Sequence, residues 1–394
     1  MSRLISITKP DLRGYLAIDS TVNNSSAGGL RMAPDLSPEL MTRIARVMTL
    51  KYGFCGLPVG GAKAGIAADP EMPPEKKRQL LQSFGQALEP FIRSRSYIPA
   101  EDLGTSSDDI KFMLNSIGLK AQARGLTTAL SGFYTGITVF AAAVAAARHI
   151  DLDLKRASVA IEGFGNVGSA AAGLFRERGI RVVAVATSRG AIYDKAGLDI
   201  GELLRFRDRV GSQLVNHFDQ AQKIDRNRLM ELEVDILSPC AQSDSITPDN
   251  ARRVAARIIS PGANAPIAAG AEPALAQKKI LVIPDFVANC GGVLGASMKR
   301  AGLKEDYIRH FLEDKIGQQV TGIIEAAEQE GVPLEAYAQR IAEERFLRAR
   351  ASAEGKNLAA RVFGLALELY RRGVIPYQLV TPVASGYFER RFSR

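Results

Sequence analysis

The sequence predicts an α/β protein of two domains, and three observations carry that prediction. At 394 residues the chain exceeds what one ordinary core absorbs. From Arg156 onward, short apolar runs alternate with helical stretches, a rhythm that specifies a parallel sheet covered on both faces. The first of those runs leads straight into Gly163-Phe164-Gly165-Asn166-Val167-Gly168 and then a helix, the turn on which doubly wound sheets are built. The expected division is residues 1–130, completed by C-terminal helices at about 346–394, and residues 131–345 carrying the doubly wound sheet.

In the first region Ser37 reads as an N-cap and Pro38 as the first helical residue, with Leu40, Met41, Ile44, Val47 and Met48 following at helical spacing. That helix delivers Lys51 at its C-terminal end. A second helix is expected from about Pro74 to Arg93. Next, 95–105 reads as a short strand ending in the polar loop Ala100-Glu101-Asp102-Leu103-Gly104-Thr105, a place where catalytic groups commonly sit. The run 132–147 is apolar and alanine-rich, broken by Tyr134, Thr135 and Thr138 and too short to span a bilayer, so it reads as a buried helix.

In the second region Ala157 to Glu162 is a strand, Ser169 to Arg178 a helix stopped by Gly179, and Val182 to Ala186 a second strand. Further strands are expected at Val234 to Leu237, Ile258 to Ser260 and Leu281 to Ile283. Beyond about Gly302 the chain becomes charged and helical to near Arg372.

Composition narrows the function classes. Hydrophobic residues make up 46% and charged residues 24%, the proportions of a soluble globular protein. The first ten residues lack the apolar core and small-residue cleavage site of a signal peptide, so a cytoplasmic location without a membrane partner is expected. Cys55, Cys240 and Cys290 lie far apart, and His149, His217 and His310 share no ligand spacing; neither a disulfide framework nor a metal site is readable. The net charge of +9 is spread along the chain among acids, which argues against a nucleic-acid partner. Arg345, Arg348, Arg350, Arg371, Arg372, Arg390, Arg391 and Arg394 enrich the tail, where solvated helix faces are expected.

Standing after a strand, opening a helix and followed by a second strand, the glycine motif reads as a Rossmann-type dinucleotide site. Gly163 permits the tight turn, Gly165 lets backbone approach a pyrophosphate, and Gly168 allows close packing of the helix, whose N-terminus favours anions. The second strand ends Ala186-Thr187-Ser188-Arg189, without the acid that usually binds the adenosine ribose. Hydroxyls and a guanidinium suit a 2′-phosphate, so NADP is preferred over NAD. Arg189 reads equally as an ordinary surface residue.

Two lysines lie among glycines, Lys51 in Met48-Thr49-Leu50-Lys51 and Lys63 in Gly60-Gly61-Ala62-Lys63-Ala64-Gly65. Glycines bring backbone close to a small ligand, and a lysine packed among them loses water, which together with a second cation lowers its pKa toward that of a base at neutral pH. Lys51 reads equally as a solvated surface residue, whereas the surroundings of Lys63 favour chemistry. Asp102 is either the acid/base partner of Lys63 or, with Glu101, a cap for the helix beginning near Ser107.

With these motifs in order, over about residues 27–345, the chain resembles the glutamate/leucine/phenylalanine/valine dehydrogenase family. The matching segments are Gly-Gly-Leu-Arg at 28–31, Met-Thr-Leu-Lys at 48–51, Pro-Val-Gly-Gly-Ala-Lys-Ala-Gly at 58–65 and Ala-Glu-Asp-Leu-Gly-Thr at 100–105. They continue with the glycine motif at 163–168, Gly-Ala-Asn-Ala-Pro at 262–266 and Pro-Asp-Phe-Val-Ala-Asn-Cys-Gly-Gly-Val at 284–293.

The resemblance implies reversible NAD(P)-dependent deamination of an L-amino acid to a 2-oxo acid and ammonia, in a homo-oligomer whose active site lies in the cleft between the two domains. It implies that Lys51 holds the substrate α-carboxylate beside Gly29, that Lys63 activates the water attacking an imine, and that Asp102 relays protons. Ala241, Asn264 and Asn289 are implied as cofactor contacts.

Departures from the family pattern bear on specificity. Where glutamate dehydrogenases of the family carry a lysine and a serine for the side-chain carboxylate, this chain has Ala27 and Ala296. Burying a carboxylate against two methyl groups costs several kcal/mol, so an apolar or aromatic side chain is expected and the leucine/phenylalanine branch is the nearer one. The family's nicotinamide-contacting threonine aligns with Ala129, with Thr128 one place off. A glutamate dehydrogenase with a rebuilt side-chain site and a regulatory nucleotide-binding protein without turnover are the alternatives.

Overall fold

The computed structural model describes residues 2–119, 130–355 and 377–392; Thr128, Ala129, Arg371, Arg372 and Arg394 lie outside the described residues. The chain divides into two units, Met1–Ala129 with Ala296–Lys304 and Gln339–Arg394, and Leu130–Gly295 with Glu305–Ala338.

The first unit is built on a five-stranded mixed sheet of order β1-β2-β4-β3-β5, from β1 (Arg3–Lys9), β2 (Leu12–Ile18), β3 (Ser26–Ala33), β4 (Gly60–Ala67) and β5 (Ile98–Glu101). β4 runs antiparallel to β2 and parallel to β3, which is parallel to β5. Both faces are covered. Leu30, Met32, Ala62 and Ala64 share a core with Leu81, Phe84 and Leu88 of helix α2 (Pro74–Arg93) and Ile110 and Met113 of α3 (Ser107–Ser116). Because strand side chains alternate, Gly29, Arg31, Gly61, Lys63 and Gly65 are left for the opposite face. There α1 (Pro38–Phe54) lies so close that a Cβ on Gly61 would come within 2.4 Å of the Thr49 hydroxyl and one on Gly65 within 3.0 Å of Met41. As expected, Ser37 caps α1, accepting from the Leu40 N–H, with Pro38 in its first turn.

Of this sheet only β5 is anticipated from sequence. Strands covered on both faces show no polar alternation, and the glycine pairs that admit α1 weaken every local strand signal.

The second unit holds a seven-stranded sheet of order β12-β11-β10-β6-β7-β8-β9, from β6 (Ser158–Glu162), β7 (Arg181–Thr187), β8 (Gly190–Tyr193), β9 (Gln222–Ile224), β10 (Ile236–Pro239), β11 (Ile258–Ile259) and β12 (Leu281–Val282). The strands from β12 to β7 are parallel. The expectation of an all-parallel sheet needs correction at one edge, where β8 and β9 add antiparallel. A tight turn at Ser188 and Arg189 folds the chain back from β7, and β9 is too short and polar to announce itself. Helix α4 (Ser131–His149) is the buried apolar helix, with the helix Glu305–Glu330 packed along it, and α5 (Asn166–Glu177) follows β6 three residues earlier than expected.

The expected boundary at 345 also differs from the observed division. Helices Gly291–Arg300 and Leu334–Glu354 each contribute to both units. Around Ala342 the second of these packs on Gly53 of α1, and Arg345 Nη1 donates to the Phe54 carbonyl at 3.2 Å. A continuous amphipathic helix carries no mark of where its packing partner changes. Among the described residues no helix is long and apolar enough to cross a membrane.

Candidate active site

Three neighbouring strands of the first unit bring three charges to one point. Lys63 of β4, its side chain 1% exposed, places Nζ 2.7 Å from Asp102 Oδ2. Arg31 of β3 donates Nε to that same oxygen at 2.9 Å. Pairing of Gly29 with Ala100 and of Leu30 with Glu101 carries the chain directly to Asp102 beside Arg31. The loop is pinned by Thr105, whose hydroxyl donates to the Leu30 carbonyl at 2.7 Å and accepts from the Asp102 N–H at 3.1 Å. Gly29 is required sterically, since a Cβ there would meet Asp102 Cβ at 2.7 Å and the Glu101 carbonyl at 2.8 Å.

Asp102 therefore does not cap α3. Ser106 does, in a capping box with Asp109, while Glu101 accepts from the Ser107 hydroxyl.

Burial pushes Lys63 down to about 8; Asp102 opposes that shift, and Arg31 and Lys51 reinforce it. Burial alone would raise Asp102, yet Lys63 and Arg31 together hold it well below the ordinary carboxylate range. Lys51, 5% exposed in the last turn of α1, is thus a buried cation within electrostatic reach of Lys63, not a solvated surface residue. Ala27, half-buried, pairs with Gly61 and Ile98, and Ala296 is half-buried on the helix Gly291–Arg300.

In the second unit the glycine motif lies at the C-terminal end of β6. Gly163 has φ +102°, and a Cβ there would strike Ala241 at 2.8 Å. A Cβ on Gly168 would lie 1.9 Å from the Gly163 carbonyl, whereas nothing stands within 4 Å of one on Gly165. Gly165 starts α5 without a side-chain cap, leaving the first amides of a 12-residue helix for another acceptor. Asn166 Oδ1 accepts from Arg207 Nη2 at 2.5 Å. Val167 contacts the place a Gly262 Cβ would occupy.

Asn289, 2% exposed, donates to the Ala263 carbonyl at 2.8 Å and to Asn264 Oδ1 at 3.3 Å, but its own Oδ1 is buried without a partner. An orphaned buried acceptor calls for a donor. The carboxamide NH2 of a nicotinamide is such a donor, and uncapped helix amides suit a pyrophosphate, so these residues fit a dinucleotide.

Two predicted cofactor contacts make hydrogen bonds within the protein. The Thr187 hydroxyl is turned inward, donating to the Ser212 carbonyl at 2.8 Å and accepting from the Arg189 N–H at 3.1 Å. The Phe164 ring is buried, and its N–H donates to the Ala186 carbonyl at 2.8 Å. Only Ser188 and Arg189 of the strand-end trio are exposed.

Four contributors escaped the sequence reading. Arg31 had a usable signal, lying two residues from Gly29 on the same face of the strand. Glu162, buried at the end of β6, accepts from Arg226 Nη2 and from the Ala241 N–H, both at 3.3 Å. Arg226 and Arg207 come from distant segments, with nothing local to mark them.

Comparison with known proteins converges with this geometry. Residues 131–354 match the model of the glutamate/leucine/phenylalanine/valine dehydrogenases, and residues 8–118 match that family's dimerisation domain. The chain is 32% identical over 326 residues to an NAD-specific glutamate dehydrogenase of Staphylococcus aureus, covering 80% of this chain and 78% of the relative. It is 34% identical over 293 residues to a glutamate dehydrogenase of Thermotoga maritima, covering 71% and 70%. Among solved structures, a hetero-hexameric glutamate dehydrogenase of Thermus thermophilus in a leucine-bound form is similar at a TM-score of 0.75 and 27% identity, over 89% of this chain and 88% of that one. With its two-unit α/β fold, the chain belongs to the glutamate/leucine/phenylalanine/valine dehydrogenase family and is an amino-acid dehydrogenase, an oxidoreductase acting on CH–NH2 groups.

Proposed function

We propose that the protein catalyses reversible oxidative deamination of an L-amino acid with an apolar or aromatic side chain to a 2-oxo acid and ammonia, with NADP(H) preferred. The observation that carries the catalytic reading is the dehydrated contact of Lys63 Nζ with Asp102 Oδ2 at 2.7 Å, with the lysine brought down to about 8. In this reading Lys51 anchors the α-carboxylate and Asp102 takes a proton from the substrate ammonium. A nicotinamide cofactor, when bound, supplies the acceptor for the Cα hydride. Lys63, as the neutral amine, removes a proton from the water that attacks the resulting imine carbon. Asp102 then returns its proton to the departing nitrogen, and the C–N bond breaks as the carbinolamine hydroxyl becomes the oxo group, its proton leaving with ammonia as ammonium. Because Lys63 and Asp102 share one contact, loss of the lysine proton releases the attraction that holds the carboxylate low, so the pair titrates as a unit.

Ala27 and Ala296 support the apolar substrate, since neither offers a charge or hydroxyl to a side-chain carboxylate. The glutamate dehydrogenases among the relatives favour a second reading, glutamate itself. For the cofactor, exposed Ser188 and Arg189 at the end of β7, with no carboxylate beside them, support a 2′-phosphate. Asn289 and Asn264, with Ala241 against the glycine turn, are the residues that would face the nicotinamide half. The dimerisation-domain match supports a homo-oligomer, which light scattering of the purified protein tests.

Assaying a panel of amino acids and 2-oxo acids with ammonia and both cofactors tests the proposal. Preference for leucine or phenylalanine type substrates is expected. Preference for glutamate would overturn the substrate assignment, and preference for NAD(H) the cofactor assignment.

A further inference from the structure

Asp102 presents two carboxylate oxygens, and the structure treats them differently. Oδ2 is taken twice, by Lys63 Nζ at 2.7 Å and by Arg31 Nε at 2.9 Å. We propose that Arg31 is a positioning residue of the reaction: by sharing Asp102 Oδ2 with Lys63 it reserves Oδ1 for the substrate amine and sets the pH at which the lysine–aspartate pair changes charge. The inference rests on the catalytic reading given above and extends it to a residue outside the proton path.

Arg31 is built to hold still. It sits mid-strand on β3, whose flanking Leu30 and Met32 are fully buried in the core on the opposite face, and it is itself only 4% exposed. A guanidinium keeps its charge across the working pH range and donates from a rigid fork, so both its position and its field are constant while the lysine titrates. A lysine alone would release Oδ2 on losing its proton, freeing the carboxylate to rotate. Arg31 keeps it fixed through that step.

Among the described residues, the charged and titratable groups acting on the pair come from three strands or their ends and one helix. Lys63 faces Asp102 from the loop after β5, Arg31 from β3 and Lys51 from α1; Asp102 faces Lys63, Arg31 and Tyr97, which precedes β5. Tyr52 of α1 adjoins Tyr97, and burial raises both phenols, Tyr52 to about 12, so neither carries charge near neutrality. Among the described residues, the positive charges that push Lys63 down are those of Arg31 and Lys51, and in the catalytic reading Lys51 holds the substrate carboxylate.

The test compares Arg31→Gln, Arg31→Lys and Lys63→Ala by pH profiles of kcat/KM for deamination, with thermal unfolding as a check on folding. Removing the Arg31 charge relieves repulsion on Lys63, so in Arg31→Gln the rising limb moves to higher pH by about one unit, with a roughly tenfold loss near pH 7. Arg31→Lys keeps the charge without the fork: its limb stays near that of the parent, and kcat falls without a rise in KM. Lys63→Ala reports on the catalytic reading separately, since full turnover there overturns that reading whatever Arg31 does. An inactive Lys63→Ala with an unmoved limb in Arg31→Gln overturns the role of Arg31. If Arg31→Gln does not fold, Arg31→Lys decides alone: a raised KM at unchanged kcat would mean that Arg31 binds substrate, and the proposal falls.

Discussion

The charged cluster of the first unit is made of side chains already committed to one another, whereas the glycine loop of the second is made of backbone and space. Lys63 and Arg31 sit on adjoining strands and Asp102 directly after a third, so both cations are paired with one carboxylate within the protein. Gly165 has open room around it, α5 begins uncapped, and Asn289 keeps an unanswered oxygen. Chemistry on a small substrate needs groups whose pKa values are set before it arrives, which requires partners of fixed charge. Holding a large anionic cofactor needs donors still unspent. The same amino acid, glycine, serves both: it admits α1 and Asp102 in one unit, and it clears a berth in the other.

Damage to the two regions should therefore be of different kinds. The largest effect is expected for Lys63→Ala, which removes the proposed base and lowers kcat by about a thousandfold while cofactor affinity, followed by nicotinamide fluorescence, stays unchanged. Next comes pH. With Lys63 near 8, the neutral fraction rises nearly tenfold per unit well below that value, so kcat/KM for deamination should climb roughly fiftyfold from pH 6 to 8, about twofold more above it, and then level. A flat profile would contradict the lysine base.

In the second unit Gly168→Ala forces a methyl to within 1.9 Å of the Gly163 carbonyl. The turn must open, and cofactor affinity should fall at least about tenfold, with about 1–3 kcal/mol lost in stability. A fluorescence titration and a thermal melt read both. Arg189→Ala should weaken NADP(H) by roughly tenfold while leaving NAD(H) untouched; equal effects on both would return Arg189 to the surface. The smallest effect is expected for Ala27→Lys combined with Ala296→Ser, which supplies partners for a side-chain carboxylate and should raise glutamate turnover about severalfold.

Legibility also differed between the regions. The glycine motif announced itself because a strand, turn and helix contiguous in sequence make one binding element, and the helix boundaries around it were off by a few residues only. Lys63 and Asp102 were readable as candidates from their glycine-rich surroundings, but their contact spans strands β4 and β5, separated by α2, and no local pattern encodes that. Whether Asp102 partnered Lys63 or, with Glu101, capped the helix beginning near Ser107 was an open choice until Ser106 took the cap. Thr187, read as a cofactor contact from its place at the strand end, has its hydroxyl donating to the Ser212 carbonyl, supplied by the turn after the helix Ile200–Val210, a partner no local pattern announces.

What the sequence by itself determined is chemistry carried by contiguous motifs: the dinucleotide turn, the capped helix that delivers Lys51, and the family to which these motifs belong. Only the tertiary structure decided which charges meet. Strand order β4-β3-β5 put Lys63, Arg31 and Asp102 side by side, and burial together lowered the lysine while two cations held the carboxylate ionised. Such shifts depend on distance and dehydration, quantities that residues far apart along the chain acquire only when the sheet assembles.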